Sequence, residues 1–423
     1  MKSHSLLIPA LTSLGILISL ATAEDWPGWR GADRTGISTE KGLLAEWPKE
    51  GPPLLWQTEG CGKGFSSIAV ANGRLFTLGR PKGQDGECLI AKSEKDGSVL
   101  WTTAFGTSGE SNGTPVVDGE RVYGVGKDGD LVCCNVESGD KLWSKRFDKD
   151  FGGKMMSGWG YSECPLIDGD RLLCTPGAKD ATIVALDKAT GKEIWRASVP
   201  DELGNRGKDG AGYSSIVISE GGGVKQYVQL TGRGLIGIRA SDGKYLWHYN
   251  AVANDTANIS TPIVSGDYVF CSTGYGTGSA LLKLSKDGDG IGAEEQYFLK
   301  SQKLQNHHGG MVLIDGHIYC GHKHNEGFPV CVRMSDGEVI WGGKTRGEGK
   351  GSAAVVAADG HLIFRYQSGQ VVLIEATKDA YRIKGSFEPA FKDRESWAHP
   401  VIANGRLYLR EQDKLMCYDL KKS

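Results

Sequence analysis

Small and polar residues recur in eight short stretches of the chain, each just before an apolar strand pattern. The stretches read GFSS (64–67), SNGT (111–114), YSEC (161–164), GYSS (212–215), ANIST (257–261), NHHGG (306–310), GKGS (349–352) and WAHP (397–400). Polar groups that converge on one opening suit the binding of a small polar ligand. The candidate ligand-binding residues are Ser66, Ser67, Asn112, Glu163, Ser214, Ser215, Asn258, His307, His308, Lys350 and His399. The alternative is that these groups bond only to water and backbone.

No familiar catalytic or metal-binding motif accompanies these residues. The sequence has no Gly-rich phosphate loop, no nucleophile elbow and no Cys-x-x-Cys-His haem motif. Four histidines (His307, His308, His322 and His324) are close in sequence. We expect His322 and His324 to lie in an outer loop, far from His307, whereas zinc needs three or four converging ligands. The sequence therefore predicts no catalytic residue and no metal site.

The elements that must position the eight stretches are themselves repeated. The segments DGSVLW (96–101), SGDKLW (138–143), TGKEIW (190–195), DGKYLW (242–247) and DGEVIW (336–341) all place a glycine turn before a tryptophan. Between these segments, turns followed by apolar strands, such as DGERVYGVG (118–126), recur with the same period. Four short strands in each period of about forty to fifty residues are typical of a β-propeller blade.

We therefore predict an all-β fold, an eight-bladed β-propeller of four-stranded antiparallel blades. The inner strands are expected to start near Phe65, Asn112, Tyr161, Tyr213, Ile259, His307, Gly351 and Trp397. The last unit has no room for a fourth strand, so PLLWQTE (53–59) should complete it and close the ring, which hides two sheet edges. A pair of β-sandwiches is the alternative, but sandwiches do not demand so regular a period.

The repeated aromatic residues are predicted to be structural. A tryptophan that lies flat between neighbouring blades buries much apolar area and can donate its N–H across the gap. This docking role is assigned to Trp56, Trp101, Trp143, Trp195, Trp247, Tyr297 and Trp341.

The first residues are typical of an export signal. Lys2, an apolar run from Leu6 to Leu20 and the small residues Ala21–Ala23 predict a signal peptide over residues 1–23. A lead-in over residues 24–52 and the propeller over residues 53–423 would follow. We expect a periplasmic or secreted protein after cleavage near Ala23, with no membrane span in the mature chain; a retained anchor is the alternative.

Charge and cysteines limit the partners. With 49 basic and 51 acidic residues and no basic run, the chain is a poor candidate for nucleic-acid binding. A protein partner or a small polar ligand is expected instead. The ten cysteines are either buried thiols or disulfides. Cys164 and Cys174 flank one turn and could be bridged, whereas Cys133 and Cys134 take ordinary positions in a third strand.

The segment from about residue 54 to about residue 420 resembles the bacterial pyrroloquinoline-quinone-like (PQQ-like) β-propeller repeat proteins of the quinoprotein alcohol dehydrogenase-like superfamily. The docking turns and ALDKATGKEIW (185–195) carry this resemblance. The fold also resembles that of the lipoprotein scaffold of the outer-membrane barrel-assembly machinery. For the dehydrogenases the resemblance implies PQQ, calcium and a catalytic Asp within large insertions, and we find no matching insertion here.

Because a fold does not carry its activity with it, function rests on the eight polar stretches. We expect a scaffold that binds a ligand or a partner, with no evident catalytic apparatus. A PQQ-dependent alcohol or sugar dehydrogenase and a polysaccharide-binding propeller are the alternatives.

Overall fold

The structure is a computed structural model that describes residues 25–422. The predicted signal peptide, residues 1–23, lies outside the described residues. Within residues 25–422, no helix has the length and apolar character that a membrane crossing requires.

The described chain forms a ring of eight antiparallel sheets. Only one turn of α-helix, α1 (Phe147–Asp150), and one 3₁₀ turn (Gly221–Gly223) interrupt the strands of the described residues. The strands are β1 (Ile37–Ser38), β2 (Leu54–Thr58), β3 (Ala69–Ala71), β4 (Arg74–Gly79), β5 (Cys88–Ser93), β6 (Val99–Ala104), β7 (Val116–Asp118), β8 (Arg121–Val125), β9 (Asp130–Asn135), β10 (Lys141–Arg146), β11 (Leu166–Asp168), β12 (Arg171–Cys174), β13 (Ile183–Asp187), β14 (Glu193–Ala197), β15 (Val217–Ser219), β16 (Gln226–Thr231), β17 (Gly234–Arg239), β18 (Tyr245–Tyr249), β19 (Ile263–Ser265), β20 (Tyr268–Thr273), β21 (Gly278–Asp287), β22 (Gly290–Lys300), β23 (Met311–Ile314), β24 (His317–His322), β25 (Phe328–Arg333), β26 (Val339–Gly342), β27 (Ala353–Ala358), β28 (His361–Tyr366), β29 (Val371–Glu375), β30 (Ile383–Phe387), β31 (Val401–Ala403), β32 (Arg406–Glu411) and β33 (Lys414–Asp419).

The predicted eight-bladed propeller is confirmed. Blades 1 to 7 take four consecutive strands each, from β3–β6 to β27–β30. Blade 8 combines β31, β32 and β33 with β2. The N-terminal strand pairs antiparallel with β33, with Trp56 opposite Cys417, so the predicted closure is also confirmed. The inner strands begin a few residues later than expected, at Ala69 rather than Phe65 in blade 1.

Each docking turn forms half of a contact between two blades. A Cβ on Gly139 would lie 2.6 Å from the Trp101 ring of the preceding blade, and a Cβ on Gly191 would lie 2.7 Å from Trp143. The same close approach to the aromatic residue of the preceding blade is found at Gly97, Gly243 and Gly337. These glycines also have positive φ, which side chains rarely adopt. The repeated glycine therefore meets two requirements: its backbone adopts the turn conformation, and its lack of a side chain leaves room for the neighbouring ring.

Polar atoms of the docking aromatic residues often donate hydrogen bonds to the next blade. Trp101 Nε1 donates to Val136 O of blade 2 at 3.0 Å, and Tyr297 OH donates to Met334 O of blade 6 at 2.6 Å. Trp247 instead donates to Gln226 Oε1 of its own blade at 2.6 Å. In blade 5 the strands of the β21–β22 hairpin are ten and eleven residues long, so its turn lies beyond the reach of Trp247.

Blade 7 has no aromatic residue of its own at the docking position. The outer strands carry a β-bulge just before this position, and in β30 the residue that follows the bulge is Gly385. Trp47 from the lead-in packs there, and a Cβ on Gly385 would lie 2.6 Å from Trp47 Cβ. The Trp47 indole is 7% exposed and meets Phe387 edge to face, so the lead-in supplies the missing ring.

The lead-in also fills the axis of the ring with residues 26–38, which we call the plug. Trp26 exchanges backbone hydrogen bonds with Val70 of blade 1. Val117 of blade 2 donates to Pro27 O at 2.7 Å. At its end, β1 pairs in parallel with β27 of blade 7. The plug thus covers inner strands that would otherwise be open sheet edges.

Two buried arginines anchor the plug to blades 3, 4 and 6. Arg34 donates to Ile216 O at 2.9 Å and Cys164 O at 3.0 Å, and also to Pro165 O. Arg30 donates to Met311 O of blade 6 and to Thr35 O. Burial lowers the pKa of each guanidinium to about 10, so both stay charged at neutral pH.

All ten cysteines are buried free thiols within the described residues. Leu166 pairs with Leu173 across the turn between β11 and β12, so Cys164 and Cys174 are one residue out of register. The two thiols accordingly have different surroundings. Cys174 packs between blades 2 and 3, whereas Cys164 Sγ accepts a hydrogen bond from Thr114 N at 3.0 Å.

The contact between tryptophan and glycine can be tested by adding one methyl group. We expect Gly191→Ala to lower the free energy of unfolding by about 3 kcal/mol, because it combines backbone strain with a clash against Trp143. Gly169→Ala is the control, since Gly169 also has positive φ but open space around it. It should cost about 1 kcal/mol. Equal losses in urea unfolding would show that the ring contact contributes nothing.

The plug can be tested by removing one guanidinium. We expect Arg34→Ala to lower the free energy of unfolding by about 3 kcal/mol, because it leaves buried carbonyl oxygens of blades 3 and 4 without donors. The control is Arg239→Ala, which removes a surface pair with Asp242 and should leave stability nearly unchanged. An Arg34→Ala protein as stable as the control would contradict the anchoring role.

Candidate functional site

A cavity of 340 Å³ opens at the mouth where the inner strands begin, and we call it the mouth cavity. Its volume lies near the lower end of the range of about 300–1,000 Å³ for small-molecule sites. Its lining residues are Trp29, Phe65, Asn112, Trp159, Ser162, Tyr213, Ser215, Ala257, Ile259, Ser260, Thr261, Tyr275, His307, His308, Gly309, His324, Asn325, Gln367, Trp397 and His399.

The plug makes this cavity blind. Trp29 forms its floor, held by a hydrogen bond from Nε1 to Thr261 Oγ1 at 3.0 Å and by contact with the His399 ring at 4.5 Å. On the other side of the plug a second cavity of 380 Å³ lies between the plug and blades 2 and 3. A ligand can therefore enter the mouth cavity from one end only.

A loop between blades 2 and 3, residues 153–160, crosses the edge of the mouth, and we call it the rim loop. Met156 N donates to Ala211 O at 3.0 Å, and Ser157 Oγ donates to Thr256 O at 2.6 Å. The loop is thereby fixed above blades 4 and 5. It presents the Trp159 ring, which is 57% exposed, at the entrance of the mouth cavity.

Aromatic rings form much of the wall. Phe65 and Trp397 pack with ring centroids 4.7 Å apart. Tyr275 meets His307 edge to face at 5.1 Å. Among residues 25–422, no Asp, Glu, Lys or Arg side chain lines the mouth cavity. The site is consequently uncharged as long as its histidines are neutral.

Burial lowers the pKa of each of those histidines. Desolvation, together with the neighbouring imidazoles of His308 and His324, lowers the pKa of His307 to about 2. Desolvation likewise lowers the pKa of His308 to about 4 and of His399, which also lies near Arg30, to about 3.

The hydrogen bonds of the histidine wall are incomplete. His307 bonds through Nδ1 to the Ser352 hydroxyl at 2.7 Å and through Nε2 to the Tyr275 hydroxyl at 3.1 Å. Three imidazole nitrogens (His308 Nε2, His324 Nδ1 and His399 Nδ1) and Trp397 Nε1 have no partner within the described structure. Ser352 is buried outside the lining, so its pair with His307 does not present a nucleophile to a ligand.

The structure brings five of the eleven predicted ligand-binding residues into the lining: Asn112, Ser215, His307, His308 and His399. The other six lie elsewhere. Four of these form hydrogen bonds between strands or between blades. Ser66 Oγ accepts from Thr77 Oγ1, and Ser67 donates to His399 O. Ser214 donates to Ser260 O, and Asn258 donates to Thr231 O. Lys350 is exposed on the outside of the mouth. The residues before the inner strands lie outside the paired strands, so strand alternation does not show which of them face the axis.

Glu163 is the clearest departure from the expected arrangement. We expected this carboxylate at the mouth with His307, His308 and His399 as neighbours. It is instead 2% exposed and accepts bonds from Thr175 N and Oγ1, both at 2.6 Å, and from Gln229 Nε2 at 3.3 Å. Desolvation raises the pKa of Glu163 to about 7, although the Thr175 bonds and the Arg34 charge lower it. Glu163 thus belongs to the packing between blades 3 and 4.

The expected separation of His324 from His307 is wrong. Their ring centroids are 4.1 Å apart, because the segment after β24 turns back over the mouth through Lys323 and Asn325, which have positive φ. His322 points away and accepts a bond from Gln305 N at 3.2 Å. Within the described residues, no group of three or more His, Cys, Asp or Glu side chains is placed to hold a metal ion.

Several lining residues escape the repeat pattern. Trp29 belongs to the plug, Trp159 to the rim loop, and Tyr275 and His324 to turns at the mouth. The one available signal is that Trp29 and Trp159 fall outside the period of the docking tryptophans.

The lining does not fit PQQ with calcium. PQQ is a tricarboxylate quinone whose charge calls for cationic partners, and calcium needs carboxylate and carbonyl oxygens. The mouth cavity offers neutral imidazoles and indoles, and no carboxylate from residues 25–422.

Comparison with known proteins places the chain among propellers of two kinds. A family model described as outer membrane protein assembly factor BamB matches residues 27–129 and 85–343. BamB of Nitrosomonas eutropha is 23% identical over 252 residues, which cover 57% of this chain and 54% of the relative. BamB of Alteromonas naphthalenivorans is 34% identical over 121 residues, 25% of this chain and 28% of the relative. The matches therefore span about half of these relatives or less.

Solved structures share the fold at low identity. BamB from Moraxella catarrhalis is similar with a TM-score of 0.61 and 13% identity, over 87% of this chain and 99% of that one. The quinohemoprotein alcohol dehydrogenase from Comamonas testosteroni is similar with a TM-score of 0.64 and 13% identity, over 94% and 81%. Such similarity supports the fold alone.

The buried Glu163 predicts a pH effect on stability. Its pKa is about 7 when folded and near 4.5 when unfolded, so the folded state binds the extra proton between these values. Stability from this group is present at pH 4.5 and is lost as the pH rises to 7, by about 3 kcal/mol. We expect Glu163→Gln to gain stability relative to the parent across this window in urea unfolding.

Glu388→Gln is the matched control, because Glu388 is exposed and has no ion pair within residues 25–422, and it should show no such gain. A Glu163→Gln difference that stays constant from pH 5 to pH 7 would show that Glu163 is ionised in the folded protein throughout.

Proposed function

Because the chain belongs to the family described as outer membrane protein assembly factor BamB, we propose that it is an exported, non-catalytic scaffold. It binds a ligand or a protein partner in the mouth cavity. The family match covers residues 27–343, in two overlapping stretches. The relatives are named as assembly factors, which supports a role in binding partners. The match spans only about half of the first relative, so the partner of that relative is not assigned to this chain.

The observation that carries the proposal is the blind, uncharged mouth cavity. Its walls are rings and hydroxyl or amide groups, which suit recognition. General acid–base chemistry calls for a group that titrates near neutral pH. Burial lowers the pKa of His307, His308 and His399 to about 4 or below, well under that range.

The dehydrogenase alternative has less support. The fold is as similar to a quinohemoprotein alcohol dehydrogenase as to BamB, but the donor set of the mouth cavity does not suit PQQ and calcium. Saturable binding of PQQ with calcium by the purified protein, followed as an absorbance change, would contradict the scaffold and favour the enzyme.

Export is the second part of the proposal. The predicted signal over residues 1–23 supports it, and the mature protein should then begin at Glu24. N-terminal sequencing of the protein from the cell envelope that returned Met1 or Lys2 would contradict this part.

Photo-crosslinking in the producing cells tests the site. We expect p-benzoylphenylalanine at Ser162, which lines the mouth cavity, to form an adduct that intact-mass spectrometry detects. The same residue at Ser198, exposed after β14 on the outside of blade 3, is the control and should give none. Equal yields at both positions, or no adduct at Ser162, would refute binding at the mouth.

A further inference from the structure

We propose that the mouth cavity binds the end of an uncharged glycan, with its terminal sugar ring inside and the next ring against Trp159. This inference names the ligand class for the scaffold and rests on the proposed function. Three features of the cavity carry it: its lack of charge, its exposed ring faces, and its single entrance.

The lack of charge selects a neutral ligand. No Asp, Glu, Lys or Arg among the described residues lines the cavity, and burial lowers the pKa of every lining imidazole, which favours the neutral form. A carboxylate or phosphate placed there would lose its hydration without gaining a cationic partner. An ammonium group would likewise find no carboxylate. Acidic sugars, nucleotides and charged peptide ends are therefore poor ligands.

The wall combines aromatic rings with hydroxyl and amide groups. Trp29 and Trp397 offer apolar ring surface, and a sugar ring has one face of C–H groups that can lie on it. The lining also includes the side chains of Asn112, Ser162 and Asn325, which both donate and accept hydrogen bonds. A sugar hydroxyl likewise donates and accepts, so it can bond to any of them.

The entrance determines which part of the glycan binds. The plug closes the cavity at Trp29, so a polymer cannot pass through it. Trp159 lies at the entrance on the fixed rim loop with 57% of its surface exposed. An exposed indole beside a blind cavity suits a second ring that follows the first. The site therefore recognises an end rather than the middle of a glycan.

The test is a titration with defined sugars, followed by calorimetry and by tryptophan fluorescence. The probes are neutral gluco-, xylo-, manno- and galacto-oligosaccharides of increasing length, and uronic-acid oligomers of matched length. We expect at least one neutral series to bind at pH 7, with affinity that rises from the single sugar to short oligomers and then stays constant. The matched acidic oligomers should bind at least about tenfold more weakly.

Two variants localise the binding. Trp159→Ala should weaken it about tenfold with an unchanged unfolding transition, because the ring is exposed. Tyr268→Ala is the control, since Tyr268 is exposed beside a turn at the opposite mouth, and it should bind as the parent does.

The outcomes separate the two proposals. If no neutral series binds, or if acidic oligomers bind as well, the glycan assignment is wrong. If that happens while Ser162 still gives its specific crosslink, the scaffold stands with another ligand. If neither sugar binding nor a mouth-specific crosslink is found, both proposals fail. Affinity that keeps rising with polymer length would refute recognition of glycan ends.

Discussion

The inner strands of a propeller ring are sheet edges that all face one axis, and their backbone groups need partners. In this protein a single segment provides them. The plug pairs with blades 1 and 7 through its backbone and reaches blades 3, 4 and 6 through Arg34 and Arg30. Arginine suits this task because one planar guanidinium donates in several directions at once and stays charged when buried. The same segment closes the channel and places Trp29 as the floor of the mouth cavity, so stability and site geometry depend on one anchor.

The fold could be predicted from the sequence because its determinants are repeated and local. A turn glycine and a tryptophan recur in most periods, and Gly139 against Trp101 shows why both are required: the ring of one blade needs a neighbour without a Cβ. The prediction was incomplete where the contact is not local. Blade 7 takes its ring from Trp47, more than three hundred residues earlier in the chain, and no periodicity can reveal that exchange.

The site could be predicted only in part, because its residues obey no repeat. Sequence position placed the mouth correctly at the inner-strand starts, and His307, His308 and His399 do line it. It could not separate side chains that face the axis from those that bond to the next blade. Ser67 and Ser214 each donate to a carbonyl of a neighbouring blade, and Glu163 is held by Thr175. Hydroxyl and carboxyl groups satisfied in this way are invisible to a pattern of residue types.

Function in this fold has to be sought where the repeat is broken. An assembly factor and a quinohemoprotein dehydrogenase superpose on this chain about equally well at the same low identity, so the repeated strands cannot distinguish a binding protein from an enzyme. The residues that can distinguish them lie in the plug, the rim loop and the turns at the mouth, as Trp29, Trp159 and His324 do. The chemistry of the mouth is therefore set largely by loops, whereas the position of its floor is fixed by the bonds that hold the plug in the axis.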